Sequence, residues 1–224
     1  MVVGLELEAA RLLRRVPAAV RGALTVRAVG PGAARLERLD AALLESRPAV
    51  VLATGLAGGC APDLAPGDLV LGAPVGGGDR EQWPDPEWRG RALRALARTG
   101  CRHRAGLLLT VDRIVASPAA KATHWRRGAL AVDMESARVV AWAERAGVPA
   151  LAVRAVADGA GESLPAELLG AVDADGRIRC GAAAALLRRP ALAAAGWRLQ
   201  RRSRRALASL GRFVQALVDT PGEP

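Results

Sequence analysis

The chain has no Tyr and a single Phe, Phe213, in 224 residues. Its core must therefore be packed from small and aliphatic side chains, and an apolar content of 51% supplies enough of them for one globular domain. Lysine is nearly missing too: Lys121 is the one Lys among 32 basic residues. Such an Arg bias follows coding composition and does not by itself mark a binding surface. Cysteine is sparse, and Cys60, Cys101 and Cys180 form no C-x-x-C pair, which points to reduced thiols in a cytoplasm. The two histidines, His103 and His124, stand apart in the sequence, so no metal site is expected. No apolar run approaches the roughly 20 residues of a spanning helix. The opening MVVGLELEA reads as a strand followed by acids, not as a secretory signal. G-x-S-x-G and P-loop motifs are both absent. GPGAAR lacks the third glycine of a dinucleotide fingerprint, and no acid follows at the end of a second strand.

Charge of one sign is in excess, with a formal net charge of +10. From Arg177 onward stand ten Arg, followed only by the acids Asp219 and Glu223. The remainder is nearly balanced, so the excess belongs to a C-terminal segment, and nucleic acid is not expected as a partner.

What is present is an alternation of apolar runs and helical patterns. Strands are expected over residues 2–5, 24–29, 49–53, 69–75, 104–111, 129–132 and 150–156, with helices over 6–15, 33–45, 87–99, 118–125 and 136–146. The segment 76–86, GGGDREQWPDP, reads as a polar loop carrying Trp83, suited to a lid or a partner contact. Asp173 to Gly176 reads as a turn, and 182–187 as a short helix ending before Pro190. A last helix over 191–218 pairs an apolar stripe with Arg198, Arg201, Arg202, Arg204, Arg205 and Arg212. It reads as a packed terminal helix or as a membrane-surface one. The class is α/β: a three-layer α/β/α domain with a central mixed twisted sheet, plus a C-terminal basic amphipathic helix. Residues 1–176 would form the catalytic domain and 177–224 a helical extension packed on it.

The stretch 129–165 concentrates the chemistry. One strand–helix–strand unit places Glu135 and Asp158 just beyond the carboxyl ends of two strands, the edge where open α/β sheets bind ligands. Glu8 follows the first strand, in the first turn of a helix whose dipole favours a carboxylate. Thr54-Gly55-Leu56-Ala57-Gly58-Gly59 follows another strand as a small-residue loop whose backbone can approach a ligand closely. Paired carboxylates in a dry cleft suit bond cleavage through an oxocarbenium-like state, one acid holding a proton and another staying ionised.

Three segments, TGLAGGCAPDLAPGDLV, VDMESARVV and VPALAVRAVAD, resemble in order and spacing the signatures of the purine nucleoside phosphorylase and methylthioadenosine/S-adenosylhomocysteine nucleosidase superfamily. The resemblance runs from the N-terminal strand to Asp158, about two thirds of the chain. The last third, from Leu164-Pro165 through the Asp175-Gly176 turn to Arg188-Arg189-Pro190 and the basic helix, is similar to the hopanoid-associated phosphorylase branch. The resemblance implies that Asp158 protonates the purine at N7, that Glu135 binds the ribose hydroxyls beside Met134, and that Glu8 orients or deprotonates an attacking water or contacts the sugar. It implies further that Gly58, Gly55 and Ala57 line the nucleophile side, and that Ile114 and Val115 contact the base. No metal or organic cofactor is implied, with phosphate the one co-substrate to consider.

The branch implies adenosylhopane, a lipid-linked adenine nucleoside of hopanoid biosynthesis, as substrate. The alternative is a soluble methylthioadenosine/S-adenosylhomocysteine nucleosidase or another purine nucleoside phosphorylase. The family is generally dimeric or larger, which implies a homo-oligomer, and the Arg clustering of the basic helix is compatible with peripheral contact at the cytoplasmic face of a membrane. The chain departs from the family at Ala157, where Ser usually precedes the catalytic acid. It departs at Ile114, where related nucleosidases place an aromatic that Trp83 or another chain would have to replace. Ala53 and Leu56 stand where bacterial hexameric phosphorylases carry the Arg and Ser that hold phosphate. That pattern favours water as nucleophile, unless Arg11 or a neighbouring subunit's Arg serves instead.

Overall fold

The computed structural model describes residues 1–165 and 190–221. The expected 173–176 turn, the 182–187 helix and the 176/177 boundary lie outside the described residues. In chain order the elements are β1 (Val2–Val3), α1 (Glu6–Leu13), α2 (Ala18–Arg21), β2 (Arg27–Ala28), a 3₁₀ turn (Pro31–Ala33), α3 (Arg38–Ser46), β3 (Val51–Gly59) and β4 (Leu69–Gly77). Then follow β5 (Arg80–Gln82), α4 (Pro86–Arg98), β6 (His103–Thr110), α5 (Pro118–Arg126), β7 (Ala131–Asp133), α6 (Ser136–Arg145), β8 (Ala150–Asp158) and α7 (Pro190–Val218).

The boundaries follow local chemistry. Asp85 caps α4 by accepting from the Trp88 N–H at 3.1 Å, and Ser117 caps α5 by accepting from the Ala120 N–H at 3.2 Å, each with Pro at the first helical position. Gly147 (φ +66°) ends α6 in the left-handed conformation that a Cβ disfavours, and Pro149 follows.

The eight strands form one mixed sheet in the order β2-β1-β3-β7-β6-β4-β5, with β8 bridging β3 and β4. Because β8 runs parallel to β3 and antiparallel to β4, the strands β3, β8, β4, β6 and β7 close on themselves. Two apolar cores lie on its two faces. One joins Val139, Val140, Trp142 and Ala143 of α6 with Leu39 of α3; the other joins Leu12, Leu96, Leu207, Leu210 and Phe213 of α1, α4 and α7. This is the expected three-layer α/β/α arrangement with a mixed sheet.

Two sequence expectations are corrected. The small-residue segment after Ala53 is not a loop: β3 runs on through Gly59, and a bulge between Ala57 and Gly58 re-registers it against β8. The glycines serve crowding here. Gly58 pairs with Asp158 on one side and Val132 on the other, and a Cβ on Gly59 would stand 3.0 Å from the Val156 side chain. The segment 76–86 is not a lid either, since its centre forms β5, hydrogen-bonded antiparallel to β4 as an edge hairpin. Trp83 lines a cavity with Pro149 and Ala150 at the start of β8. Asp158 ends that strand, about 25 Å away at the rise of extended chain, so Trp83 is no substitute for the missing base-stacking aromatic. The C-terminal helix α7 keeps the expected amphipathic pattern, with Arg212 and Gln215 exposed between buried positions. Its second half is core (Ala206, Leu207, Leu210, Phe213, Val214 and Leu217 are buried), whereas Trp197 near its start is 59% exposed.

Candidate active site

Glu8 stands in the first turn of α1, which begins as soon as β1 ends. Its Oε1 accepts the Leu56 N–H of β3 at 2.8 Å, a donor that β3 turns toward α1. Beside it Gly55 takes φ +138°, and a Cβ there would stand 2.7 Å from Arg154 Nη1 and about 3 Å from the Glu8 carboxylate oxygens. The glycine is thus required by close approach of two side chains from different elements.

Arg154 occupies the middle of β8, 1% exposed. Its Nη2 reaches Asp133 Oδ2 at 2.7 Å and Glu135 Oε2 at 3.2 Å, while Nε donates to Ser136 Oγ at 3.0 Å. Asp133 is itself held: Oδ1 accepts from Thr110 Oγ1 at 2.6 Å and Oδ2 from the Ser136 N–H at 3.0 Å. Glu135 Oε1 accepts the Gly32 N–H of the 3₁₀ turn at 3.1 Å. Three carboxylates thus surround one guanidinium in a dry setting, an excess of negative charge that one cation cannot neutralise. Burial accordingly pushes Glu8 up to about 7; Arg154 and the Leu56 N–H oppose this, and the Glu135 charge adds to it. Burial also raises Glu135, opposed chiefly by Arg154.

Asp158 lies at the carboxyl end of β8, buried, opposite Gly58. Its Oδ2 accepts from Lys121 Nζ. Burial pushes this carboxyl above the usual range, against the pull of the Lys121 ammonium. Gly55 and Gly58, three residues apart on β3, mark the Glu8 and Asp158 ends of the site, about 10 Å apart along the strand.

Met134 lies between Asp133 and Glu135, its carbonyl accepting from Arg138 Nη1 at 2.7 Å; Arg138 also holds Asp112. Ala57 is buried in β3. Ile114, 51% exposed, and Val115 lie in the connection from β6 to α5. The fold therefore gathers Glu8, Gly55, Ala57, Gly58, Met134, Glu135 and Asp158 around β3 and the ends of β7 and β8, while Ile114 and Val115 stand in a connecting segment, Ile114 half exposed. Among the described residues no group of three His, Cys, Asp or Glu could hold a metal ion.

Comparison with known proteins bears on this arrangement. The phosphorylase superfamily matches residues 13–189, most of the chain. The chain belongs to the phosphorylase superfamily. It is thereby an enzyme by family, and Glu135 and Asp158 fall within the matched segment while Glu8 precedes it. The fold is that of 5′-methylthioadenosine/S-adenosylhomocysteine nucleosidase from Neisseria meningitidis bound to methylthio-immucillin-A, at 21% identity and TM-score 0.68 over 98% of each chain. Futalosine hydrolase of Helicobacter pylori is similar at 16% identity and TM-score 0.68, covering 97% of this chain and 95% of that one. S-adenosylhomocysteine nucleosidase from Streptococcus pyogenes, in complex with 5-methylthiotubericidin, gives 17% and 0.64, covering 96% and 94%. No curated protein matches the chain at a significant level.

Sequence reasoning missed Arg154 and Lys121. Both left a signal. Arg154 is the one charge in the apolar run of a strand buried along its whole length, where an unpaired charge would be prohibitive. Lys121 is the single lysine of an Arg-rich chain.

Proposed function

We propose that the protein cleaves the N-glycosidic bond of an adenine nucleoside and releases adenine. The carrying observation is the separation of the carboxylates into two environments: Glu8 and Glu135 share Arg154 at one end, and Asp158 stands on Lys121 at the other. Asp158, raised by burial, protonates the purine at N7, so that the base departs neutral. The glycosidic electron pair leaves with the base, and positive charge develops on the sugar. Glu135, fixed by Arg154 and the Gly32 N–H, accepts from the ribose hydroxyls, with Met134 packed on the sugar face. Glu8, ionised above about pH 7, takes the proton of an attacking water along the Gly55–Gly58 side of the site. Ile114 and Val115 contact the base.

Water is the nucleophile in this reading. Ala53 and Leu56 provide no charge for phosphate, and Arg154, the guanidinium beside Glu8, is already committed to Asp133 and Glu135. The reaction needs no metal and no organic cofactor.

The substrate we favour carries a large apolar 5′ group, as in the adenosylhopane of hopanoid biosynthesis, and is met at the inner face of a membrane by a cytoplasmic homodimer. Supporting this is the start of α7, where exposed Trp197, stacked by Arg201, borders a cavity of about 570 Å³ also lined by Arg198, Arg202 and Arg205. No helix among the described residues is long and apolar enough to cross a membrane, so contact of this kind would be peripheral. A 5′-methylthio or S-homocysteinyl adenosine is the alternative substrate, in line with the fold shared with nucleosidases for those compounds. Incubation with adenine nucleosides of increasing 5′ hydrophobicity, with and without phosphate, tests the proposal. Free adenine with an unphosphorylated sugar is expected; a sugar 1-phosphate would reassign the nucleophile, and no adenine from any of them would reject the reaction.

A further inference from the structure

Lys121 has entered so far only as the partner of Asp158; it is fully buried, on the second turn of α5. Burial of a lysine is costly unless its charge and all three of its N–H groups are met. Here they are. Nζ donates to Asp158 Oδ2, to the Gly159 carbonyl at 2.8 Å and to the Glu162 carbonyl at 3.0 Å. Three acceptors, one of them anionic, fit an ammonium and leave no place for a lone pair. The same side chain therefore grips the acid and the backbone that follows it. Ala157, which precedes the acid, offers no hydroxyl to orient it, so the orientation must come from elsewhere.

We infer that Lys121 is the positioning residue of Asp158: it holds Oδ2, ties the acid to the backbone that follows it, and leaves Oδ1 as the oxygen presented to the base. This rests on the reading of Asp158 as proton donor to the leaving purine. Burial pushes the Asp158 carboxyl above the usual carboxylate range, and the Lys121 ammonium opposes that effect by favouring the carboxylate. The acid thereby stays strong enough to part with its proton when the glycosidic bond breaks. Among the described residues, the other charged or titratable groups facing Asp158 are Glu162, whose Oε2 is taken by Arg202 of α7 at 2.6 Å, Arg202 itself, and the Cys60 thiol beyond the end of β3.

Because Lys121 is the only lysine, it can be observed without substitution. Protein labelled with ¹⁵N-lysine contains one Nζ, and its spectrum should show one ammonium signal protected from exchange with water, displaced when Asp158→Asn is introduced. A rapidly exchanging signal that ignores Asp158→Asn would overturn the inference. The kinetic arm uses Lys121→Met, which keeps the length and removes the charge. The rate of adenine release near neutral pH should fall by about 10-fold or more. The alkaline limb of kcat should move up by about one pH unit or more, because the cation that favours the carboxylate is gone, while the acid limb set by Glu8 stays in place. A uniform loss with both limbs unmoved would mean that Lys121 merely packs the site. The two readings fail separately: an Asp158→Asn enzyme at full activity rejects the proton-donor role, whereas an inactive Asp158→Asn with an unmoved Lys121→Met limb rejects the Lys121 inference alone.

Discussion

Replacing Glu8 by Gln should make the protein more stable and less active, and the stability gain should depend on pH in a defined direction. Glu8 keeps its proton in the folded protein to about pH 7, against 4.5 for a free side chain. Between those values the folded state binds the extra proton, so stability falls as pH rises through that window and the full penalty is present above it. The gap between 4.5 and about 7 corresponds to a ceiling of about 3 kcal/mol. Solvent at the partly open side chain lowers the real figure, and the origin is burial of a third carboxylate where Arg154 already serves Asp133 and Glu135. Gln is isosteric, retains an oxygen for the Leu56 N–H and cannot ionise, so it escapes the penalty. For a domain of this size each kcal/mol moves Tm by roughly 2–4 °C, giving a ceiling of about 6–12 °C at pH 8 and almost no difference at pH 4.5. Differential scanning calorimetry of both proteins at the two pH values reads this directly. A Tm gap that is the same at pH 4.5 and 8, or of opposite sign at pH 8, would show that Glu8 ionises freely and refute the reasoning. The expected loss of activity in the same variant would place Glu8 among sites where function is kept at the expense of stability.

Arg154→Met should destabilise the protein by about 3–5 kcal/mol at pH 8, read as a lower urea midpoint, because it strands buried Asp133 and Glu135 without their cation; a loss under about 1 kcal/mol would contradict that. Truncating α7 would remove core residues such as Leu210 and Phe213, so the membrane proposal is better tested by joint substitution of Trp197, Arg198 and Arg201 with Ser. Sedimentation with phosphatidylglycerol vesicles should fall at least several-fold while adenine release from a water-soluble nucleoside is retained, and equal binding of the two proteins would reject membrane docking.

Much of the architecture was legible because period and punctuation agreed. The Ser117-Pro118 start, the Gly147-Pro149 stop and the apolar run of β8 each correspond to an observed boundary. The acids Glu135 and Asp158 could be placed at strand ends from that pattern alone. Three features could not. Small residues at Gly55 to Gly59 signal close approach, but whether of a ligand or of a neighbouring strand depends on β8 and β7, which lie far away in sequence. The polar segment around Arg80 to Gln82 carries too little periodicity to reveal an edge strand. Lys121 and Arg154 acquire their partners only through the fold, with 37 residues separating Lys121 from Asp158. A charge within an apolar run marks a buried ion pair without naming its partner.

The central claim, that Asp158 supplies the proton which releases the base, is tested most directly by adenine release from a 5′-substituted adenine nucleoside by wild type and Asp158→Asn. The account predicts a rate at least about 100-fold lower in the variant, with an unchanged circular dichroism spectrum. Release at the wild-type rate by a folded Asp158→Asn protein would contradict it.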